Sequence, residues 1–77
     1  MDLRQIHARL QPFSPFVLST FAKQYGINLS AGTIEQMKSL LQQCVNENAS
    51  YEEFLQRMES VIGRKKLEKL LQLLKYA

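Results

Sequence analysis

The chain contains one histidine, His7, and one cysteine, Cys44. An imidazole beside a thiol is the pairing that activates a nucleophilic cysteine, provided the two lie within hydrogen-bond reach. His7 follows Ile6 at the edge of one apolar helix face, whereas Cys44 lies on the apolar stripe of another helix beside Met37, Leu40 and Leu41. A thiol packed among hydrocarbon is inert, so both residues read as packing residues. One histidine and one cysteine are too few for a protein-only zinc site, and a lone cysteine excludes an internal disulfide. Glu47, Glu52, Glu53 and Glu59 could suggest acid–base or metal chemistry. Glu52 and Glu53 are explained by helix N-terminal electrostatics, and Glu59 falls off its helix's apolar face. No calcium loop, glycine-rich phosphate cradle, HExxH or GxSxG is present. The sequence therefore predicts no enzyme, no cofactor and no small-molecule substrate.

The remaining chemistry is charge. Ten Lys and Arg against seven Asp and Glu give a net +3. From Arg64 to Ala77 there are five bases and one acid, a net +4, while the first 63 residues hold five bases and six acids, a net −1. The positive charge thus belongs to the C-terminal segment. On a helix advancing 100° per residue, Leu67, Leu70, Leu71 and Leu74 cluster on one side. Lys65, Lys69, Gln72 and Tyr76 fall on the other, a row of cations ending in an aromatic that suits phosphates and a stacked base. The solvated face of any terminal helix has the same composition. Leu73 lies off the main leucine stripe, which widens the apolar face and motivates homodimerisation or docking onto another protein. Arg64, Lys65, Lys66, Lys69, Leu73 and Tyr76 are therefore the candidate partner- or phosphate-binding residues.

These side chains must be positioned by helices. The pattern predicts five, near 2–10, 15–25, 31–45, 51–62 and 64–76. Asp2 can cap the first, whose Leu3, Ile6 and Leu10 recur at helical spacing. Pro12 and Pro15 bias the residues before them, Gln11 and Ser14, towards extended conformations, which predicts an end near Leu10. Ser14-Pro15 reads as a cap followed by proline at the first helical position, where its missing N–H costs nothing. Leu18, Phe21, Ala22 and Tyr25 then form an expected buried face, and Gly26 supplies a left-handed terminator. Ser30 caps a helix striped with Ile34, Met37, Leu40, Leu41, Cys44 and Val45. The polar Asn46-Glu47-Asn48 reads as a turn. Ser50-Tyr51-Glu52-Glu53 fits a reciprocal capping box ahead of Phe54, Leu55, Met58, Val61 and Ile62.

Gly63 leaves two possibilities open. Three bases at a helix N-terminus oppose the macrodipole by a few tenths of a kcal/mol each, whereas an interior Gly costs about 1 kcal/mol relative to Ala. The balance leans towards a break. No alternating strand pattern or hairpin dipeptide occurs, so the expected fold is all-α, one small domain of four to five short helices.

Ala22-Lys23-Gln24-Tyr25-Gly26 superficially fits the first half of a DNA-reading helix-turn-helix. The connection from Gly26 to Gly32 is longer than that motif's turn of three or four residues. The following helix opens Ala31-Gly32-Thr33-Ile34-Glu35-Gln36, with no base before Lys38 to meet phosphates. It reads as a corner between two core helices.

Composition is that of a folded chain, 45% hydrophobic and 22% charged. At 77 residues it buries only about 60% of its unfolded surface, so a partner subunit is a reasonable source of further stability. No long apolar run predicts a membrane span or signal peptide, and cytoplasmic residence is expected. The segment Phe21-Ala-Lys-Gln-Tyr-Gly-Ile-Asn-Leu-Ser30, with the striped and acid-capped helices after it, resembles a family of small uncharacterised helical proteins from Gram-positive bacteria. That family carries a YAKQYxIxLT-like segment, with Tyr where this chain has Phe21. The resemblance implies a bacterial, cytoplasmic helical domain with no catalytic residues to carry over. Together these readings predict a non-enzymatic protein-binding adaptor or regulator, with nucleic acid binding through Arg64 to Lys69 as the alternative.

Overall fold

A computed structural model describes residues 2–76, with side chains through Leu73. It is all-α: α1 (Leu3–Leu10), α2 (Pro15–Gln24), α3 (Ala31–Glu47), α4 (Tyr51–Ile62) and α5 (Arg64–Tyr76). Each of the first four helices starts at a side-chain cap. Asp2 accepts from the Arg4 N–H, Ser14 from Val17, Ser30 from Thr33 and Ser50 from Glu53, at 3.0–3.2 Å. These bonds satisfy donors that no helical carbonyl can reach, each contributing about 1 kcal/mol.

Two helix ends share one closure. Gly26 at φ +78° lets its own N–H reach the Lys23 carbonyl and the Ile27 N–H reach that of Ala22. Asn48 does the same after α3: at φ +56° it donates to Val45 while Ala49 donates to Cys44. In each case a left-handed residue folds the chain back so that two orphan carbonyls are paired. Asparagine tolerates that conformation better than most residues do. It lets α3 run to Glu47, two residues beyond the expected end, with Asn46 and Glu47 helical rather than turned.

Gly63 breaks the chain between α4 and α5. Its φ of +84° and ψ of 162° lie in a region essentially reserved for glycine, and its N–H still pairs with the Glu59 carbonyl.

α3 is the central element. Its 17 residues pack against α1, α2 and α4, while α5 packs on α4. The core joins Leu3 and Ile6 of α1, Ala22 of α2, Ile34, Met37, Leu41 and Cys44 of α3, Phe54 and Met58 of α4, and Leu67 of α5. Ile27 and Leu29 complete it from the connection between α2 and α3, each only 2% exposed. A connection that buries two branched aliphatics belongs to the core, which sequence periodicity does not reveal because neither residue sits on a helix. Ser19, the one buried polar side chain among the described residues, donates its hydroxyl to the Leu29 carbonyl and holds the connection against α2. The stretch that resembled a helix-turn-helix is thus a packed corner.

The buried face of α2 differs from the expected one. Leu18, Ser19 and Ala22 turn inward, whereas Phe21 and Tyr25 are exposed. The reason is that α2 is apolar nearly all round, at Phe16, Val17, Leu18, Phe21 and Ala22, so periodicity alone cannot choose which side meets its neighbour. On α4, Val61 is likewise exposed rather than buried.

Candidate functional site

Cys44 is wholly buried. Its sulfur is approached by the Arg57 guanidinium, Nη1 to Sγ 3.7 Å, and among the described residues it makes no hydrogen bond to His7. Arg57 is the polar hub of the α3–α4 contact. It donates to Glu47 at 3.0 Å and to Glu53 at 2.9 Å, so one fork clamps the end of α3 to the first turn of α4. Hydrogen bonds to Glu47 and then Glu53 raise the guanidinium's pKa above its ordinary value. The engagement of Glu53 corrects the expected reciprocal capping box: the Ser50 hydroxyl receives the Glu53 N–H, but the Glu53 carboxylate turns to Arg57. Glu59 lies 3.8 Å from the Arg64 Nε. These acids are ion-pair partners on the surface, and among the described residues no three His, Cys, Asp or Glu side chains are grouped to hold a metal ion.

The basic segment is arranged as a solvated face. Arg64, Lys65, Lys66 and Lys69 are all exposed, and Lys65, Lys66 and Lys69 pair with no acid among the described residues. Leu73 does not widen an open apolar face. It is half-buried and packs against the core together with Leu70 and Leu71, because α5 rolls its leucines towards α4. The Tyr76 side chain lies outside the described residues, so the aromatic end of the proposed cation row does too.

The largest group of exposed apolar side chains is elsewhere, on and just before α2. Phe13, Phe16, Val17, Phe21 and Tyr25 are exposed by 42–73%, Phe16 the most. Val17, Phe21 and Tyr25 follow one another at i, i+4 and i+8, forming a single ridge along the helix. The Phe21 and Tyr25 rings sit 4.9 Å apart at a 51° tilt, so these two aromatic side chains pack on each other. Phe16, Thr20 and Gln24 form the parallel row beside it, with the Thr20 hydroxyl tied back to the Phe16 carbonyl at 3.1 Å. Phe13 is fixed from the other side, where the Lys38 ammonium donates to its carbonyl at 2.7 Å. Helical spacing places Phe21 and Tyr25 on one apolar face with Leu18 and Ala22, and it does not single out Phe13, Phe16 and Val17. The available signal was an excess of apolar residues on α2 over what its one main neighbour, α3, can cover.

With about 200 Å² for a fully exposed aromatic side chain, these fractions amount to roughly 500 Å² of exposed apolar side chain. That is close to a tenth of the molecule's 5282 Å² surface. Isolated exposed hydrophobic residues are ordinary; these five are concentrated on one helix and the residues just before it, and monomer patches of about this size are often functional.

The concavities are of a different kind. One open depression of about 640 Å³ runs along the outer side of α3, lined by Gly32, Glu35, Gln36, Ser39, Gln43 and Val61. A smaller recess of about 150 Å³ lies between the start of α1 and the end of α3. Among the described residues no helix is long and apolar enough to cross a membrane. No protein-family model, curated protein or solved structure matches the chain.

Proposed function

We propose that this protein is a small, non-enzymatic, cytoplasmic adaptor or regulator that works by docking onto another protein. The observation that carries the reading is the exposed aromatic ridge of α2. Each aromatic side chain is worth roughly 1.5–3 kcal/mol once fully covered. Aromatic anchors of this kind dominate protein–protein interfaces. The test is a photo-crosslinking benzoylphenylalanine placed at Phe16 in the host cell, with the same group at the exposed Glu52 as control. Discrete protein adducts at position 16 that are absent at position 52 support the reading. Identical adduct patterns at the two positions refute it.

Nucleic acid binding through α5 is the second reading, favoured by the exposure of Arg64, Lys65, Lys66 and Lys69, of which the three lysines have no acidic partner among the described residues. Each phosphate neutralised would add about 0.9 to the slope of log affinity against log salt. A mobility-shift titration with duplex DNA and with RNA at low salt tests it. Absence of any shift at about 50 mM salt eliminates this reading, since counterion release is strongest there.

A further inference from the structure

Resting on the docking reading above, the structure points to the chemistry of the partner: we infer that the α2 ridge receives an acidic segment of another protein carrying two or more apolar anchors. The argument is charge complementarity around the patch. From Leu3 to Ile34 the chain contains no Asp or Glu, while Arg4, Arg9 and Lys23 lie within it. Lys23 is exposed on α2 itself, and Lys38 reaches the patch's Phe13 end from α3. Glu35, the next acid along the chain, lines the depression on the outer side of α3. An apolar surface with Lys23 flanking its Phe16–Thr20 row, Lys38 at its Phe13 end and no anion within its own elements steers acidic partners and discriminates against basic ones.

A second copy of the chain fits less well. A two-fold contact between α2 ridges would offer no carboxylate from those elements to either Lys23. An acidic segment brings the missing charge and can reach past the ridge to Lys38.

The test is selection of a random 16-residue peptide display library on the immobilised full chain, with the F16S/F21S variant as counter-selection. The expected winners combine two or three aromatic or branched aliphatic residues with several Asp or Glu. One winner is then synthesised and titrated by fluorescence anisotropy. Lys23→Glu, which leaves the apolar surface intact, is expected to weaken it by about five- to tenfold, and raising the salt is expected to weaken it further. If circular dichroism shows F16S/F21S unfolded, Tyr25→Ser replaces it in the counter-selection.

Winners that depend on Phe16 and Phe21 but are neutral or basic overturn the acidic chemistry and leave the docking face standing. Absence of any winner sensitive to these substitutions removes both. Sedimentation equilibrium showing a dimer that F16S/F21S dissolves assigns the ridge to a second copy. Flotation with phosphatidylglycerol vesicles that depends on Phe16 and Phe21 assigns it to a lipid surface. Either result overturns the inference.

Discussion

Replacing Gly63 by Ala tests whether the break between α4 and α5 is built into the fold. Gly63 sits at φ +84° and ψ 162°, and an added Cβ would meet no atom within 4 Å. The cost is therefore backbone strain alone, about 1–3 kcal/mol for an L-residue held in that region. The chain could escape the strain by fusing α4 and α5 into one helix, gaining about 1 kcal/mol from the better helix former. Fusion would swing α5 off α4 and uncover Leu67, now 7% exposed, together with the half-buried Leu70 and Leu71. Uncovering even one fully buried leucine costs roughly 1.5–3 kcal/mol, more than the helix gains. Gly63→Ala is therefore expected to destabilise the protein by about 1–3 kcal/mol, which for a chain of this size lowers Tm by roughly 5–20 °C. Circular dichroism at 222 nm during heating and urea titration measures it. Equal or higher stability, or a rise in native helix signal with unchanged Tm, would show that the break is not required and refute the strain argument.

Three further outcomes follow from the packing. Ser19→Ala leaves the buried Leu29 carbonyl without its hydroxyl donor and is expected to cost about 1–3 kcal/mol by urea denaturation; a loss below 0.5 kcal/mol would mean water replaces the hydroxyl at little cost. Cys44, with no exposed surface, is expected to react with a thiol reagent only as fast as the protein opens, so labelling accelerates with urea in step with unfolding; rapid labelling of the native protein contradicts its burial. Arg57→Gln removes its ion pair with Glu47 of α3 and its i,i+4 pair with Glu53 within α4, and is expected to lower Tm at low salt, with the difference shrinking at high salt because the pairs are solvent-exposed. Since the guanidinium's pKa is raised in the folded state, its contribution is fully present below its ordinary value and is lost only as pH climbs through the raised one, so the Arg57→Gln difference is expected not to vary with pH between 7 and 9 through this group.

Local chemistry made most helix limits readable. Asp2, Ser14, Ser30 and Ser50 cap where their side chains and spacing say they should, and Pro15, Gly26 and Gly63 punctuate the chain as their backbones dictate. Asn48 was harder, because asparagine suits both a turn and a left-handed helix end, and only the pairing of Ala49 with Cys44 decides between them. What escaped the sequence is set by neighbours. Ile27 and Leu29 enter the core because the corner folds over them, and Glu53 turns from its cap to Arg57 because α3 brings Glu47 alongside. The same holds for the candidate site. The basic face of α5 was legible as charge, but the α2 ridge required knowing which side of an all-round apolar helix α3 would cover. Leu73 was misplaced for the converse reason, since its helix rolls far enough to tuck it in.

The corner between α2 and α3 also fixes where this chain tolerates changes of length. Residues 25–30 are the connection with the least slack: a residue added after Asn28 would shift Leu29 out of register with its socket and detach its carbonyl from Ser19. Gln11 and Pro12, by contrast, are exposed and bury nothing. Spectroscopic labels, cleavage sites or spacer segments belong at that second joint, where an insertion costs the Phe13 N–H bond to the Leu10 carbonyl and no buried side chain.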